Sequence, residues 1–269
     1  MLKFKNDRFI PTRIYEQETR IDYNIFKKKY RYISKNPSRI LDAPEVKISN
    51  NLFQLDWSVC NKLSVVLDNI IYIMDMYTNK ITKINPKVEK IISTIVWSKD
   101  GKELALTNNN EIQIWDLSKI QVKNIINQGA KLLSWKNNDE FSFSKYKKIK
   151  HYDLRKSNSN VKEYHHNELI KSLKWSNDGI NLGSVCDNNL LVHNLKTQKI
   201  NIKKQINSFD WCPWNSSFLT ISEKKAIYSV DIGNGKIITS KDCSTVVNNI
   251  YYSNTTKEFI SIHYNDKIK

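Results

Sequence analysis

The sequence predicts an all-β fold built from repeated four-stranded units, and three observations predict it. An aromatic residue closes a short apolar run six times, at Trp57, Trp97, Trp135, Trp175, Trp211 and Tyr251, with spacings of 40, 38, 40, 36 and 40 residues. In the first five units a second signature follows 17 to 20 positions later: YIMD at 72–75, IQIWD at 112–116, IKHYD at 149–153, LLVHN at 190–194 and IYSVD at 227–231. Between these signatures lie polar turns such as Asp100-Gly101 and Asp178-Gly179, whose residues tolerate the positive φ that tight hairpins need. Helical periodicity is absent. A meander of about 40 residues cannot bury both of its faces alone, so such units stack around an axis as the blades of a β-propeller.

Taken in order, the blades open with LFQLDWSVCN, ISTIVWSKDG, GAKLLSWKNND, IKSLKWSNDG, INSFDWCPWN and VNNIYYSNTT. Each run carries a strand up to the aromatic and a turn directly after it. Upstream, residues 1–36 are rich in Lys and Tyr, with KKKYRY at 27–32 and no sustained apolar period, and read as a flexible arm. The propeller is assigned to residues 37–269, with about five and a half blades and the last incomplete where the chain reaches NDKIK.

The chain has 269 residues, 40% of them apolar, with 7 Trp, 13 Tyr and 9 Phe, which is enough to build a large core. Its net charge of +16 arises from 43 basic against 27 acidic residues, yet only Arg8, Arg13, Arg20, Arg31, Arg39 and Arg155 are arginines. The excess is therefore lysine in a sequence saturated with Lys, Asn and Ile. No pattern of aromatics and Arg accompanies it, so nucleic acid is not expected as a partner. Cys60, Cys186, Cys212 and Cys243 are scattered without a Cys-x-x-Cys pair, which argues against a zinc site or a disulfide framework and for a reducing, intracellular setting. No apolar run is long enough for a membrane span and no secretory leader is visible, so no membrane association is expected. No nucleophile elbow, phosphate-binding glycine loop or paired-carboxylate motif is present, and neither enzymatic activity nor a metal or cofactor is expected. His165 and His166 lack a carboxylate or Cys at ligand spacing, which favours a structural reading.

Blade length and the Trp-Asp ending resemble WD repeats. In that family a His, a Ser or Thr, a turn Asp and a Trp pin each blade; blade four offers His166, Ser184 and Asp187, with His193 where the Trp would stand. The arm adds a patterned heptad, DRFIPTR at 7–13, in which Pro11 holds Ile10 extended and Arg8 and Arg13 flank an apolar pair. An extended segment with two guanidinium donors and two apolar anchors suits docking into a groove. DRFIPTR resembles the C box of the Fizzy-type activators of the anaphase-promoting complex, a cell-cycle ubiquitin ligase. RYISKNPSRILDAPEV at 31–46, LFQLDWS in blade one and WCPWNSSFL in blade five follow in that family's order, so the resemblance runs from Asp7 to about His263.

The resemblance implies a non-catalytic adaptor of the nucleus and cytoplasm. Asp7, Arg8, Phe9, Ile10, Pro11 and Arg13 would dock on helical-repeat subunits of the ligase, and the propeller would capture degron peptides of substrates such as cyclins. Asp56 matches the acidic residue aimed at a KEN-box lysine, and Asn188 matches a polar contact of the same peptide. The departures are Ser49, where an acidic residue often contacts the destruction box, Cys186 in place of an Asn, and a propeller short of that family's seven blades. An alternative is a reduced interaction scaffold that docks on the ligase and has lost degron capture.

Overall fold

The computed structural model describes residues 54–156, 162–186, 189–194, 198–201, 205–255 and 258–263, with 3–4, 11–12, 36, 40 and 41 upstream. The chain divides into two compact units, Met1–Asp42 and Ala43–Lys269. In the first, β1 (Lys3–Phe4) pairs antiparallel with β2 (Pro11–Thr12), Lys3 opposite Thr12 and Phe4 opposite Pro11. A proline is tolerated in so short a ladder because one side of each strand needs no donor.

The second unit is all-β among its described residues. Blade one comprises β3 (Leu55–Trp57), β4 (Lys62–Leu67), β5 (Ile70–Asp75) and β6 (Ile81–Ile84). Blade two comprises β7 (Thr94–Trp97), β8 (Glu103–Thr107), β9 (Ile112–Asp116) and β10 (Gln121–Ile126). Blade three follows with β11 (Leu132–Trp135), β12 (Glu140–Lys145), β13 (Lys148–Asp153) and β14 (Glu163–His165). Blade four holds β15 (Ser172–Trp175), β16 (Leu182–Cys186), β17 (Asn189–His193) and β18 (Gln198–Asn201). Blade five holds β19 (Ile206–Trp211), β20 (Phe218–Glu223), β21 (Ala226–Asp231) and β22 (Lys236–Asp242), and the sixth sheet has β23 (Val247–Tyr252) and β24 (Phe259–His263).

Every sheet runs in sequence order and pairs antiparallel, and the first strand of each blade contacts the first strand of the next, from β3 to β23. This is the predicted propeller. The turns match their sequences: Gly101 and Gly179 take φ of 70° and 69°, and the Asp-Asn pair at 68–69 takes 47° and 63°. In blade two, Ser98 Oγ donates to Asp100 Oδ1 at 2.7 Å while Glu103 N donates back to Ser98 Oγ at 3.0 Å. The same letters build the same turn in blade four, with Ser176, Asp178 and Asn181.

The core lies between blades. Val66, Ile71, Ile73 and Ile84 of blade one pack on Ile95, Trp97, Leu104, Leu106 and Trp115 of blade two. Ala105, Ile112, Ile114 and Ile126 meet Leu133, Trp135, Phe141 and Phe143 at the next junction. Leu132 and Ile149 meet Ile170, Leu173 and Leu182, and Val185, Leu190 and Val192 meet Ile206, Phe209, Trp211 and Leu219. Ile227 then meets Val247 and Ile250 of the sixth sheet. Strand alternation makes this possible, because successive side chains of each blade face opposite neighbours. Burying one such side chain contributes about 1.5–3 kcal/mol.

Candidate functional site

The residue just before each blade-closing aromatic occupies an equivalent, partly exposed place on the innermost strand: Asp56, Val96, Ser134, Lys174, Asp210 and Tyr251. Several of these side chains clip one blade to the next. Asp56 Oδ2 accepts the backbone N–H of Trp97 at 2.7 Å, Ser134 Oγ accepts that of Trp175 at 2.9 Å, and Asp210 Oδ2 accepts that of Tyr252 at 2.8 Å. A second set of ties runs backward. The indole N–H of Trp97 reaches the carbonyl of Asp56 at 3.3 Å, that of Trp135 the carbonyl of Val96 at 3.3 Å, and that of Trp211 the carbonyl of Lys174 at 2.9 Å. The periodic tryptophans are thus polar ties between blades as well as core side chains. The sixth aromatic in this register is Tyr252 and not Tyr251, because Tyr252 stands opposite Phe259 as Trp211 stands opposite Leu219. Two adjacent tyrosines made the sequence ambiguous by one residue, and a one-residue slip exchanges faces.

Burial pushes the Asp56 carboxyl up to about 6, against the opposing pull of the Trp97 and Trp57 N–H groups and of Lys174. Its geometry is therefore that of an inter-blade clip, shared with Ser134 and Asp210. Lys174, from the next such position but two, donates to Asp210 Oδ1 at 3.0 Å and lies 4.9 Å from the centre of the Tyr251 ring. Lys99, in the turn after β7, is held below the usual lysine range by desolvation, with Asp210 and Asp178 pulling the other way. Sequence reasoning missed Lys174 and Asp210. The signal that could have found them is positional: both immediately precede a periodic Trp.

Of the ligase-docking residues, Pro11 lies in β2, while Asp7, Arg8, Phe9, Ile10 and Arg13 lie outside the described residues, as do Asn188 and Asp187. Blade four brings His166, Ser184 and His193 together. Ser184 Oγ is 3.0 Å from His193 Nε2 and 3.4 Å from His166 Nε2, and Cys186 Sγ is 3.6 Å from His166 Nδ1. Tyr164 packs on His193 with ring centres 4.3 Å apart, so His193 fills the place of the Trp as a flat ring with a polar nitrogen. Burial, with smaller pushes from His166 and Lys162, lowers His193 to about 4, and burial with the charge of His165 lowers His166. Among the described residues no group of three or more His, Cys, Asp or Glu is arranged to hold a metal ion.

A family model described as the dipeptidyl peptidase IV N-terminal region matches residues 66–139, from within β4 to the turn before β12. Longer similarity leads elsewhere. The chain is 28% identical over 256 residues to the "Anaphase-promoting complex subunit cdc20" of Dictyostelium discoideum, covering 88% of this chain and 51% of that protein. It is 25% identical over 248 residues to the "WD repeat-containing protein slp1" of Schizosaccharomyces pombe, covering 87% and 51%, and 28% identical over 253 residues to "Protein FIZZY-RELATED 3" of Arabidopsis thaliana, covering 88% and 52%. The chain thus spans about half the length of these curated relatives. A chain in the solved structure "Crystal Structure of Mitotic Checkpoint Complex" superposes with a TM-score of 0.78 at 24% identity, over 96% of this chain and 82% of that one, which shows the fold. By sequence, over most of its length and at 26–28% identity, this propeller is similar to proteins named as Cdc20 subunits and cofactors of the anaphase-promoting complex and to a protein named Fizzy-related.

Proposed function

We propose that this chain is an activator and substrate adaptor of the anaphase-promoting complex. The observation that carries the reading is the similarity to proteins named as a subunit and cofactors of that complex along 88% of the chain, in repeats that fold as blades. DRFIPTR in the arm supplies a docking plug of two guanidinium groups and an apolar pair, and the propeller presents peptide-binding loops. The chain contributes positioning and no bond-making step, since ubiquitin chemistry belongs to the ligase and its conjugating enzyme. It works in the nucleus and cytoplasm, where its four thiols stay reduced.

Asp56 and Asn188 are the degron-contacting residues in this reading. Asp56 serves a KEN-box lysine only with the oxygen that its clip to Trp97 leaves available, so its share in peptide affinity is small, about 0.5–1 kcal/mol. The test is recovery of ligase subunits from cell extract by the full chain and by Arg8→Ala. Strong recovery by the wild type and loss with Arg8→Ala supports docking; equal recovery by both, or none by the wild type, rejects it.

A further inference from the structure

We propose that the tip of blade three, the β12–β13 turn carrying Lys145, Tyr146, Lys147 and Lys148, is a docking surface for an extended acidic polypeptide segment. The inference is independent of docking through the arm. It rests on two local choices that oppose hairpin stability and on where charge lies around the tip.

The two-residue turn places Lys145 directly opposite Lys148, and like charges facing across strands destabilise a hairpin. Tyr146 takes φ of 55°, a left-handed conformation that costs a bulky side chain and suits Asn or Gly. The equivalent turn of blade one meets the same requirement with Asp68 and Asn69. Tyr146 is moreover 74% exposed, so no burial offsets its strain. Conflicts of this kind between local sequence and fold concentrate where a surface is used.

The tip is tied to the loop that follows β14 in spite of this. His166 N donates to the carbonyl of Lys147 at 2.8 Å, Ile170 N to that of Tyr146 at 3.3 Å, and Lys147 Nζ to the carbonyl of Asn167 at 2.6 Å. Lys148 pairs with Glu163 at 2.9 Å, and Glu168 is the acid of the adjoining loop. Antiparallel order puts this turn at the same end of the propeller as Lys87, Lys90, Lys131, Lys171, Lys224 and Lys225, where the acids are Asp68, Glu89, Glu111, Glu168, Glu223 and Asp242. At the other end Asp75, Asp116 and Asp153 close strands β5, β9 and β13, and Asp100, Asp139 and Asp178 lie in turns, among lysines such as Lys102, Lys119 and Lys156. Around the tip itself Lys131, Lys145, Lys147, Lys148 and Lys171 outnumber Glu163 and Glu168, which favours an anionic partner there.

A polypeptide fits better than nucleic acid. Among the described residues Arg155 is the sole arginine, and it is at the opposite end, engaged by Asp153 at 2.9 Å and Glu140 at 3.2 Å. Nucleic-acid surfaces draw on arginine forks and several stacking rings. This tip offers point charges around a single ring, which suits carboxylates spaced along an extended chain.

The experiment is fluorescence anisotropy of a fluorescein-labelled glutamate-rich decapeptide with the full chain at about 0.1 M ionic strength. Lys145→Glu/Lys147→Glu/Lys148→Glu weakens binding by about tenfold or more, while the charge-matched control Lys102→Glu/Lys119→Glu/Lys156→Glu at the other end changes it by less than about twofold. Tyr146→Gly weakens binding and raises the urea midpoint, since glycine relieves the left-handed strain. Circular dichroism establishes that each variant is folded. Equal weakening by the control, or no peptide binding by the wild type, overturns the proposal. A uridine-rich RNA that binds more tightly than the peptide and is lost with the tip variant overturns it in favour of nucleic acid.

Discussion

Trp135 and Trp57 occupy the same position of their blades, the last residue of the innermost strand, and meet opposite surroundings. Trp135 is 2% exposed, rests edge-on against Phe141 with centres 5.3 Å apart, and donates to the carbonyl of Val96 in the preceding blade. Trp57 is 51% exposed, and its indole N–H turns back to Asn61 in its own turn at 3.0 Å. Exposure extends along the same face of blade one, at Leu55 and Ile81. The residue type sets what a blade can offer; the neighbour that precedes it decides what is gained. Burial in this fold belongs to junctions and not to blades.

The largest expected effect tests that statement directly. Trp135→Ala removes a fully enclosed ring and an inter-blade hydrogen bond and lowers stability by about 3–5 kcal/mol. Trp57→Ala lowers it by less than about 1 kcal/mol, the range of surface substitutions. Urea midpoints of the two variants decide the matter: similar losses would mean that Trp57 is covered in solution by something its exposure does not reveal.

The contrast between an end blade and an interior one extends to titrating groups. His193, inside blade four, falls from an ordinary 6.5 to about 4, so the unfolded chain binds its proton first as pH falls. Its contribution is complete above 6.5 and is lost on descending to about 4, an amount of about 3 kcal/mol. Asp56 in blade one rises from 3.8 to about 6, so the folded chain holds its proton longer, and stability falls as pH rises through that window. The two slopes oppose each other between about pH 4 and 6. Asp56→Asn therefore steepens the loss of stability on acidification, and His193→Gln makes it shallower. Urea midpoints measured across that range test both; parallel curves for the wild type and the two variants would refute the assignment of these groups.

Much of this was legible in the sequence because the propeller repeats a physical requirement. Each inner strand needs a large side chain at the junction and a tight turn after it, so Trp97, Trp135, Trp175 and Trp211 announce themselves, as do the Ser-x-Asp-Gly turns at 98–101 and 176–179. The clips were not legible. Asp56 reads as a charge available to a ligand until the backbone N–H of Trp97, 41 positions later, is seen beside it. Nothing local distinguishes a carboxylate that reaches across a junction from one that faces solvent. Tyr252 was missed for a related reason: without the geometry of the ladder, Tyr251 closes the run equally well.

The smallest predicted effect probes the clip alone. Ser134→Ala leaves the Trp175 N–H without the acceptor it has at 2.9 Å, at a cost of about 1 kcal/mol, the net worth of one such hydrogen bond. Ser134→Asp restores an acceptor of the kind used by Asp56 and Asp210 and recovers most of that loss. Val96, at the same position of blade two, carries no polar atom in its side chain, and that junction relies instead on the indole of Trp135. The propeller therefore has two interchangeable ways of tying inner strands together, an acceptor that reaches forward and an indole that reaches back. Where both act, as between Asp56 and Trp97, removing the forward clip costs less than at Ser134, because the Trp175 indole reaches Ser142 on the second strand of blade three and not the carbonyl beside Trp135. Comparable midpoint losses for Asp56→Ala and Ser134→Ala at pH 7, where the Asp56 charge adds its own desolvation cost to the wild type, would show that the backward tie carries no weight.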